Sequence, residues 1–389
     1  MTDDFLLLNP GPVPVAREVR EAAAEPLVSH RSAAFEETYR RARTGLDYVF
    51  ERSTPDESRT SEGGTSLILN GTATMGMEAL VSNLAGPDDE VVTLVNGKFG
   101  RRFRRIAERY ATVTAVESEW GEPIDLDAVA DAVTDDTALV TMVHNETSTG
   151  LLNPVAAVGE IAAAHDALFV VDGVTSLGGD EFRLDDWNVD AAVTDAQKAL
   201  AAPPGVSAVY LTERAIAAVD GDRGPFYADL DKHLTKVEDD QTPFTSAVPL
   251  VRSLALAVDR IREEGMSARI ARHRRQAAAF RAAFDSMGLA GFPRVDDATT
   301  RSNTVTAIAL PDPVREDPDA FFETVSARGV GISGGQAHLG GEIFRVSNMG
   351  ELSSEQVLRG VRAVGESLTE VGFDADVDAG LAAARDELA

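Results

Sequence analysis

Between residues 66 and 211, short runs of Val, Ile, Leu and Ala alternate with stretches in which apolar residues return every three to four positions. The runs predict strands at Ser66–Leu69, Glu90–Val95, Thr112–Val116, Ala138–Val143, Ala167–Asp172, Ala191–Thr194 and Ser207–Leu211. The helical spacing predicts helices at Thr74–Leu84, Phe99–Tyr110, Asp125–Val133 and Pro154–Ala164. Val- and Ile-rich strands separated by helices need crossover connections, so the pattern is that of an α/β protein with a mostly parallel sheet flanked by helices. In such sheets ligands gather at the carboxyl ends of the strands. After Pro249 the texture changes. A long, Arg-rich amphipathic stretch (Leu250–Met287) leads to a strand at Thr304–Leu310 and a helix at Pro318–Arg328. Short strands near Gly331 and at Ile343–Ser347 and a C-terminal helix from Ser353 complete a smaller α+β domain. The polar segment Arg52–Thr65, with Pro and paired Gly, reads as an exposed loop and a tolerated surface insertion.

Composition narrows the function. Over 389 residues the formal charge is −28, which argues against nucleic acid or an anionic membrane as the main partner. Only four basic residues are lysines (Lys98, Lys198, Lys232, Lys236), against 32 arginines. Two explanations stay open: a surface adapted to a high-salt cytoplasm, where screening blunts self-repulsion, and the codon bias of a GC-rich genome. The absence of cysteine removes disulfides, thiolate nucleophiles and Cys-ligated metals. The first residues lack the pattern of a signal peptide, and no segment has the length of a membrane span, so a cytoplasmic protein is expected. The histidines show no metal-ligand spacing. His144, at a strand end, is expected to make a structural hydrogen bond.

Three places invite chemistry. Lys198, in Asp195-Ala196-Gln197-Lys198, follows a strand end and sits among small residues before Pro203-Pro204-Gly205. A desolvated lysine shifts towards its neutral, nucleophilic form, whereas a solvated surface lysine does not; with four lysines in the chain the first reading is preferred. Asp172 ends the apolar run Phe169-Val170-Val171 and either caps a turn or faces a cleft to meet a cation. Leu69-Asn70-Gly71-Thr72-Ala73-Thr74 carries a strand through a Gly/Thr turn into a helix, which suits an anion, though an ordinary helix cap has the same sequence. No lysine of a nucleoside triphosphate loop follows it.

In order along the chain, Asn9-Pro10-Gly11-Pro12, Ser29-His30-Arg31-Ser32, Gly71-Thr72, Glu146-Thr147-Ser148-Thr149-Gly150, Val171-Asp172 and Gln197-Lys198 resemble the class V aminotransferases. Within them, the chain is most similar to the alanine–glyoxylate and serine–pyruvate branch. The resemblance implies a pyridoxal 5′-phosphate (PLP) enzyme of fold type I, with a large domain over residues 21–249 and a smaller one over 250–389. Residues 1–20 would serve both the site and the small domain. It further implies that Lys198 bonds the cofactor and moves protons, and that Asp172 pairs with the ring nitrogen. Val174 and Phe99 would flank the ring and Thr147 would bond its phenolic oxygen. Thr72, Ala73, Thr74 and Gln197 would hold the phosphate, with Thr242 supplied by the neighbouring subunit of a homodimer. Gly11 and Arg345 would bind substrate, Arg345 through its carboxylate. His30 and Arg31 would line the mouth, or Arg31 would serve subunit packing. Two departures from the family pattern stand out: Asp195 and Ala196 where small residues are usual, and Thr74 where His or another polar residue is common. An acid beside a phosphate is unfavourable unless it turns away or a cation intervenes. Since one arginine is assigned to carboxylate, alanine or serine is the expected donor, with glyoxylate or pyruvate as acceptor. Aspartate, phosphoserine or 2-aminoethylphosphonate would need further cations such as His30, Arg31 or Arg101. A non-catalytic relative is the reading from a different class.

Overall fold

The computed structural model describes residues 5–295 and 300–389. Its central sheet has seven strands: β1 (Thr65–Asn70), β2 (Glu90–Val95), β3 (Thr112–Glu117), β4 (Thr137–Val143), β5 (Leu168–Asp172), β6 (Ala191–Asp195) and β7 (Val206–Leu211). They lie in the order β1-β7-β6-β5-β4-β2-β3, and β7 alone runs against its neighbours. Inner strands such as β7 (VSAVYL) are buried throughout because helices cover both faces. The edge strand β3 alternates Thr and Glu with Val, as a half-solvated edge requires. Crossovers put α2 (Ala73–Leu84) after β1 and α3 (Lys98–Ala107) after β2, while α1 (Ala33–Arg52) precedes the sheet. All seven expected strands are present. The mostly parallel sheet flanked by helices is the architecture expected from the sequence.

The helical stretch expected as one piece is two: α4 (Val248–Glu264) and α5 (Met266–Ser286). Gly265, at φ +79°, breaks it, a conformation that side chains with a Cβ rarely adopt. Helix α4 lies on α1, and Gly45 makes the approach possible: a Cβ there would stand 2.2 Å from a methyl of Val258. Apolar side chains from Val19 to Ile270 form one core around the sheet. A second core joins Leu6 and Leu8 to Phe280, Phe284, Phe321 and Phe344. The two cores therefore part within α5 rather than at residue 249.

A three-stranded antiparallel sheet, β8 (Val305–Ala309), β9 (Ser333–Gly334) and β10 (Ile343–Ser347), orders as β8-β10-β9. Where one C-terminal helix was expected there are two, α6 (Ser354–Glu370), opened by a Ser353/Gln356 capping box, and α7 (Val377–Leu388). Leu6–Leu7 adds as a parallel strand to Val330–Gly331. The Arg52–Thr65 segment is not a free surface insertion. Ser53, Thr54, Thr60 and Ser61 are buried, and Ser53 and Thr60 accept backbone hydrogen bonds from Phe182 and Asp185. Its hydroxyls replace the solvent that its polarity suggested. Among the described residues no helix is long and apolar enough to cross a membrane.

Candidate active site

The carboxyl ends of β1, β4, β5 and β6 and the start of α3 enclose one cavity of about 330 Å³. It brings together nine of the residues singled out from sequence: Thr72, Ala73 and Thr74 after β1, Phe99 on α3, Thr147 after β4, Asp172 and Val174 at β5, and Gln197 and Lys198 after β6. Asp195, Met77 and Arg102 complete the wall. Arg102 escaped the sequence reading. Its signal was its place three residues after Phe99, on the same face of a helix.

Lys198 is fixed at both ends. Its N–H donates to the Asp195 carbonyl (3.3 Å) and its carbonyl accepts from Ala201 (2.9 Å), so the turn holds the side chain towards the cavity. The ammonium donates to the Pro10 carbonyl. Burial lowers its pKa below the usual lysine range, opposed by the carboxylates of Asp195 and Asp172. Gly11 lies against it at φ +108°, where a Cβ would come within 2.5 Å of Nζ. Asp172 is 4% exposed, and burial pushes its pKa up to about 7, although Oδ1 accepts from the Val174 N–H (2.8 Å). Such a carboxyl gains most from a cationic N–H donor brought into the cavity.

On the side of α2, Thr72 is the N-cap residue, and its hydroxyl caps no backbone N–H. The Ala73 N–H is already engaged, donating to Asp195 Oδ2 (3.0 Å), and the Gln197 amide donates to the same oxygen (2.5 Å). Asp195 Oδ1 and Gln197 Oε1 are buried without a partner. Burial raises the Asp195 pKa to about 6. The acid therefore turns towards the anion-binding turn, not away from it. A cation is nonetheless present: Arg102 donates to the Thr74 hydroxyl (2.8 Å), its guanidinium 4.7 Å from the centre of the Phe99 ring.

Arg345, on β10, does not line this cavity but reaches its wall. Nη1 donates to the carbonyl of Thr147 (2.9 Å), while Nε and Nη2 fork onto the carbonyl of Gly334 (3.1 and 2.7 Å). It is 3% exposed, and burial lowers its pKa to about 10, so it stays charged at neutral pH. The Thr147 hydroxyl shares a hydrogen bond with Thr175 (2.9 Å).

Thr242 lies outside the cavity of its own chain, its hydroxyl donating to the Phe244 carbonyl (2.8 Å). Arg31 is spent on this segment, donating to Gln241 Oε1, Thr242 O and Pro243 O (2.7, 2.7 and 3.0 Å). His144 packs against the rings of Phe182 and Trp187 and leaves Nδ1 without a partner, in place of the expected hydrogen bond. Among the described residues no cluster of His, Asp and Glu could hold a metal ion.

Residues 18–352 match the profile of the family Aminotransferase class-V. The chain belongs to the class V aminotransferases. An uncharacterized aminotransferase of Methanocaldococcus jannaschii is 36% identical, the match covering 95% of this chain and 94% of that one. The L-aspartate–glyoxylate aminotransferase of Paracoccus denitrificans is 32% identical over 99% and 96% of the two chains. The crystal structure of pyridoxamine–pyruvate aminotransferase from Mesorhizobium loti superposes with a TM-score of 0.90 at 29% identity, covering 98% and 96%. This class V aminotransferase is thus a PLP-dependent transaminase. Its cavity fits the cofactor: a lysine ammonium, a carboxyl that a ring N–H would stabilise, and hydroxyls, Arg102 and a helix N-terminus for a phosphate. Asp195, beside the Thr72–Thr74 turn, is the carboxyl placed where a phosphate disfavours it.

Proposed function

We propose that the enzyme exchanges an amino group between an amino acid and glyoxylate or pyruvate by a ping-pong route through Lys198. The acceptors are supported by glyoxylate and pyruvate in the names of the Paracoccus and Mesorhizobium relatives. Bound PLP supplies the electron sink for the carbanion at the donor α-carbon. Lys198, with its lowered pKa, would take the proton from the donor α-carbon and hold it at Nζ for its return. Asp172 keeps the ring nitrogen protonated, its carboxylate form favoured once that N–H is present. Val174 and Phe99, which line the cavity, would hold the ring between them, and Thr147 would bond its phenolic oxygen. Thr72 and Thr74, aided by Arg102, would hold the phosphate, and Ala73 and Gln197 would join them once their N–H groups leave Asp195 Oδ2. Arg345 receives the substrate carboxylate with a planar, permanently charged fork, and Gly11 leaves room for substrate beside Lys198.

The observation that carries this reading is the single cavity shared by Lys198 and Asp172. A non-catalytic relative has no use for both. We also read the enzyme as a cytoplasmic homodimer in which Thr242 of a second copy completes the phosphate cup. Asn70 ties the Gln241–Thr245 segment to the carboxyl end of β1, the end where the cavity lies, in support of that reading. Alanine or serine was the expected donor because one arginine was assigned to carboxylate. Lys98 and Arg101 line an adjoining cavity that shares Arg102 with this one, which favours a donor with a further anionic group.

The test is an absorbance titration of the PLP-loaded protein with single amino acids. A productive donor bleaches the yellow protein-bound cofactor band, and glyoxylate or pyruvate restores it. Lys198→Ala should fold and bind PLP but neither bleach with donor nor turn over; wild-type-like turnover by that variant overturns the assignment.

A further inference from the structure

Beside the Lys198 cavity, and sharing Arg102 with it, lies a second cavity of about 460 Å³. It is walled by one face of α3 and its C-terminal turn, by Trp120, and by Ala337 in the loop that leads to β10. Lys98, Arg101, Arg102, Arg105 and Arg109 all line it, positions three or four apart on a helix. Its one acid, Glu108, is committed to Arg104 (2.8 Å). Among the described residues no ion pair engages any of the five cations, in a chain of net charge −28 whose other arginines are mostly paired. Arg101 is placed by the Trp120 ring, 4.8 Å from its centre, and His338 packs on the same ring.

The wall lies within electrostatic reach of Arg345, the residue proposed for the α-carboxylate. Burial, and then the guanidiniums of Arg102 and Arg345, lower the pKa of Lys98, so its ammonium lies within electrostatic reach of both. The carboxylate that opposes them, Glu146, is buried and spent on the N–H groups of Phe99, Gly100 and Ser148 and the Ser148 hydroxyl. Five like charges facing one hollow repel one another, and an anion held among them relieves that repulsion. A donor with a neutral side chain leaves them unmet.

We propose that the enzyme's amino donor carries a second anionic group, received by Lys98 and Arg101 while Arg345 takes the α-carboxylate. The proposal rests on the transaminase reading above and names its substrate class: amino acids ending in a second carboxylate or a phosphate. The outer cations, Arg105 and Arg109, draw such dianions in against the protein's overall negative field.

The test uses the PLP-loaded enzyme with glyoxylate as acceptor and alanine, aspartate and phosphoserine as donors. The specificity constant for aspartate or phosphoserine should exceed that for alanine by about tenfold or more, and Lys98→Gln or Arg101→Gln should cut that ratio about tenfold, mainly through KM. Whichever donor leads separates carboxylate from phosphate. As a readout without turnover, succinate should inhibit far better than propionate in the wild type and lose its advantage in both variants. Alanine favoured over both dianionic donors, or a ratio that neither variant moves, overturns the proposal and leaves the transaminase reading standing. Failure of every donor, alanine included, to bleach the cofactor overturns both.

Discussion

Asp195 is the residue whose replacement should improve the protein for its cofactor. The fold holds this carboxyl at 4% exposure, and burial raises its pKa from 3.8 to about 6. That shift is worth about 3 kcal/mol against the ionised form at neutral pH, as an order of magnitude. The sign follows from the direction. An acid whose folded pKa is raised favours the fold below pH 3.8 and loses that contribution as pH rises to about 6, with no further change above. Asp172 and Asp47 are shifted the same way, so only the difference between variant and wild type isolates Asp195. Asp195→Asn keeps an oxygen to accept from Ala73 and removes the charge that a phosphate would meet. We expect the cofactor-free variant to melt higher at pH 7 and the PLP dissociation constant to fall by about tenfold or more, equal to about 1.4 kcal/mol. Wild-type affinity should strengthen as pH falls from 8 towards 6, with a steeper slope than the variant's. The phosphate's own ionisation near pH ~6 is common to both proteins and cancels in the comparison. The assay is PLP titration into cofactor-free protein, followed by cofactor absorbance and thermal melting at several pH values. Equal dissociation constants with equal pH slopes would refute the argument.

Three further outcomes follow from the same geometry. Gly11→Ala puts a Cβ within 2.5 Å of Lys198 Nζ at a φ that costs about 1–3 kcal/mol, so turnover should drop about tenfold or more with an unchanged circular dichroism spectrum. Wild-type kcat in that variant would contradict the contact. Arg345→Lys keeps the charge but loses the fork onto the Thr147 and Gly334 carbonyls, and KM for the amino donor should rise about a hundredfold while kcat changes less. With a net charge of −28, the melting temperature should climb between about 0.1 and 2 M KCl as screening relieves self-repulsion; a flat or falling curve would speak against salt adaptation.

The strands were legible because each is a short apolar run with helical periods between them, and the Lys198 and Asp172 motifs lie at strand ends. Direction was not: β7 (VSAVYL) is as apolar as the parallel strands of the sheet, and nothing in its composition marks it as reversed. The α4–α5 break was hidden because apolar periodicity runs on across Gly265, and only its positive φ reveals the stop. Arg52–Thr65 misled because buried hydroxyls paired to backbone read, in sequence, like solvated ones. Arg102 was lost among 32 arginines, and neither its lack of an ion pair among the described residues nor that of Lys98 can be read from spacing alone. Arg31, expected at the mouth of the site or in subunit packing, holds the Gln241–Pro243 segment of its own chain.

The Lys198 ammonium rests on Pro10, and the segment around Pro10 is held by the far end of the chain. Leu6–Leu7 pairs with Val330–Gly331, the Asn9 amide donates to Ile332 O and Ser333 Oγ, and Ser347 donates to Leu8 O. Asn9 and Ile332 are 323 residues apart. On a ribosome adding about 5–20 residues per second, the first-made stretch waits on the order of 20–60 s for its partners. Contacts of such long range also slow folding, because loop closure precedes any gain. The large sheet can form well before that. The floor beneath Lys198 cannot, so the nascent enzyme acquires its reactive lysine well before its finished pocket.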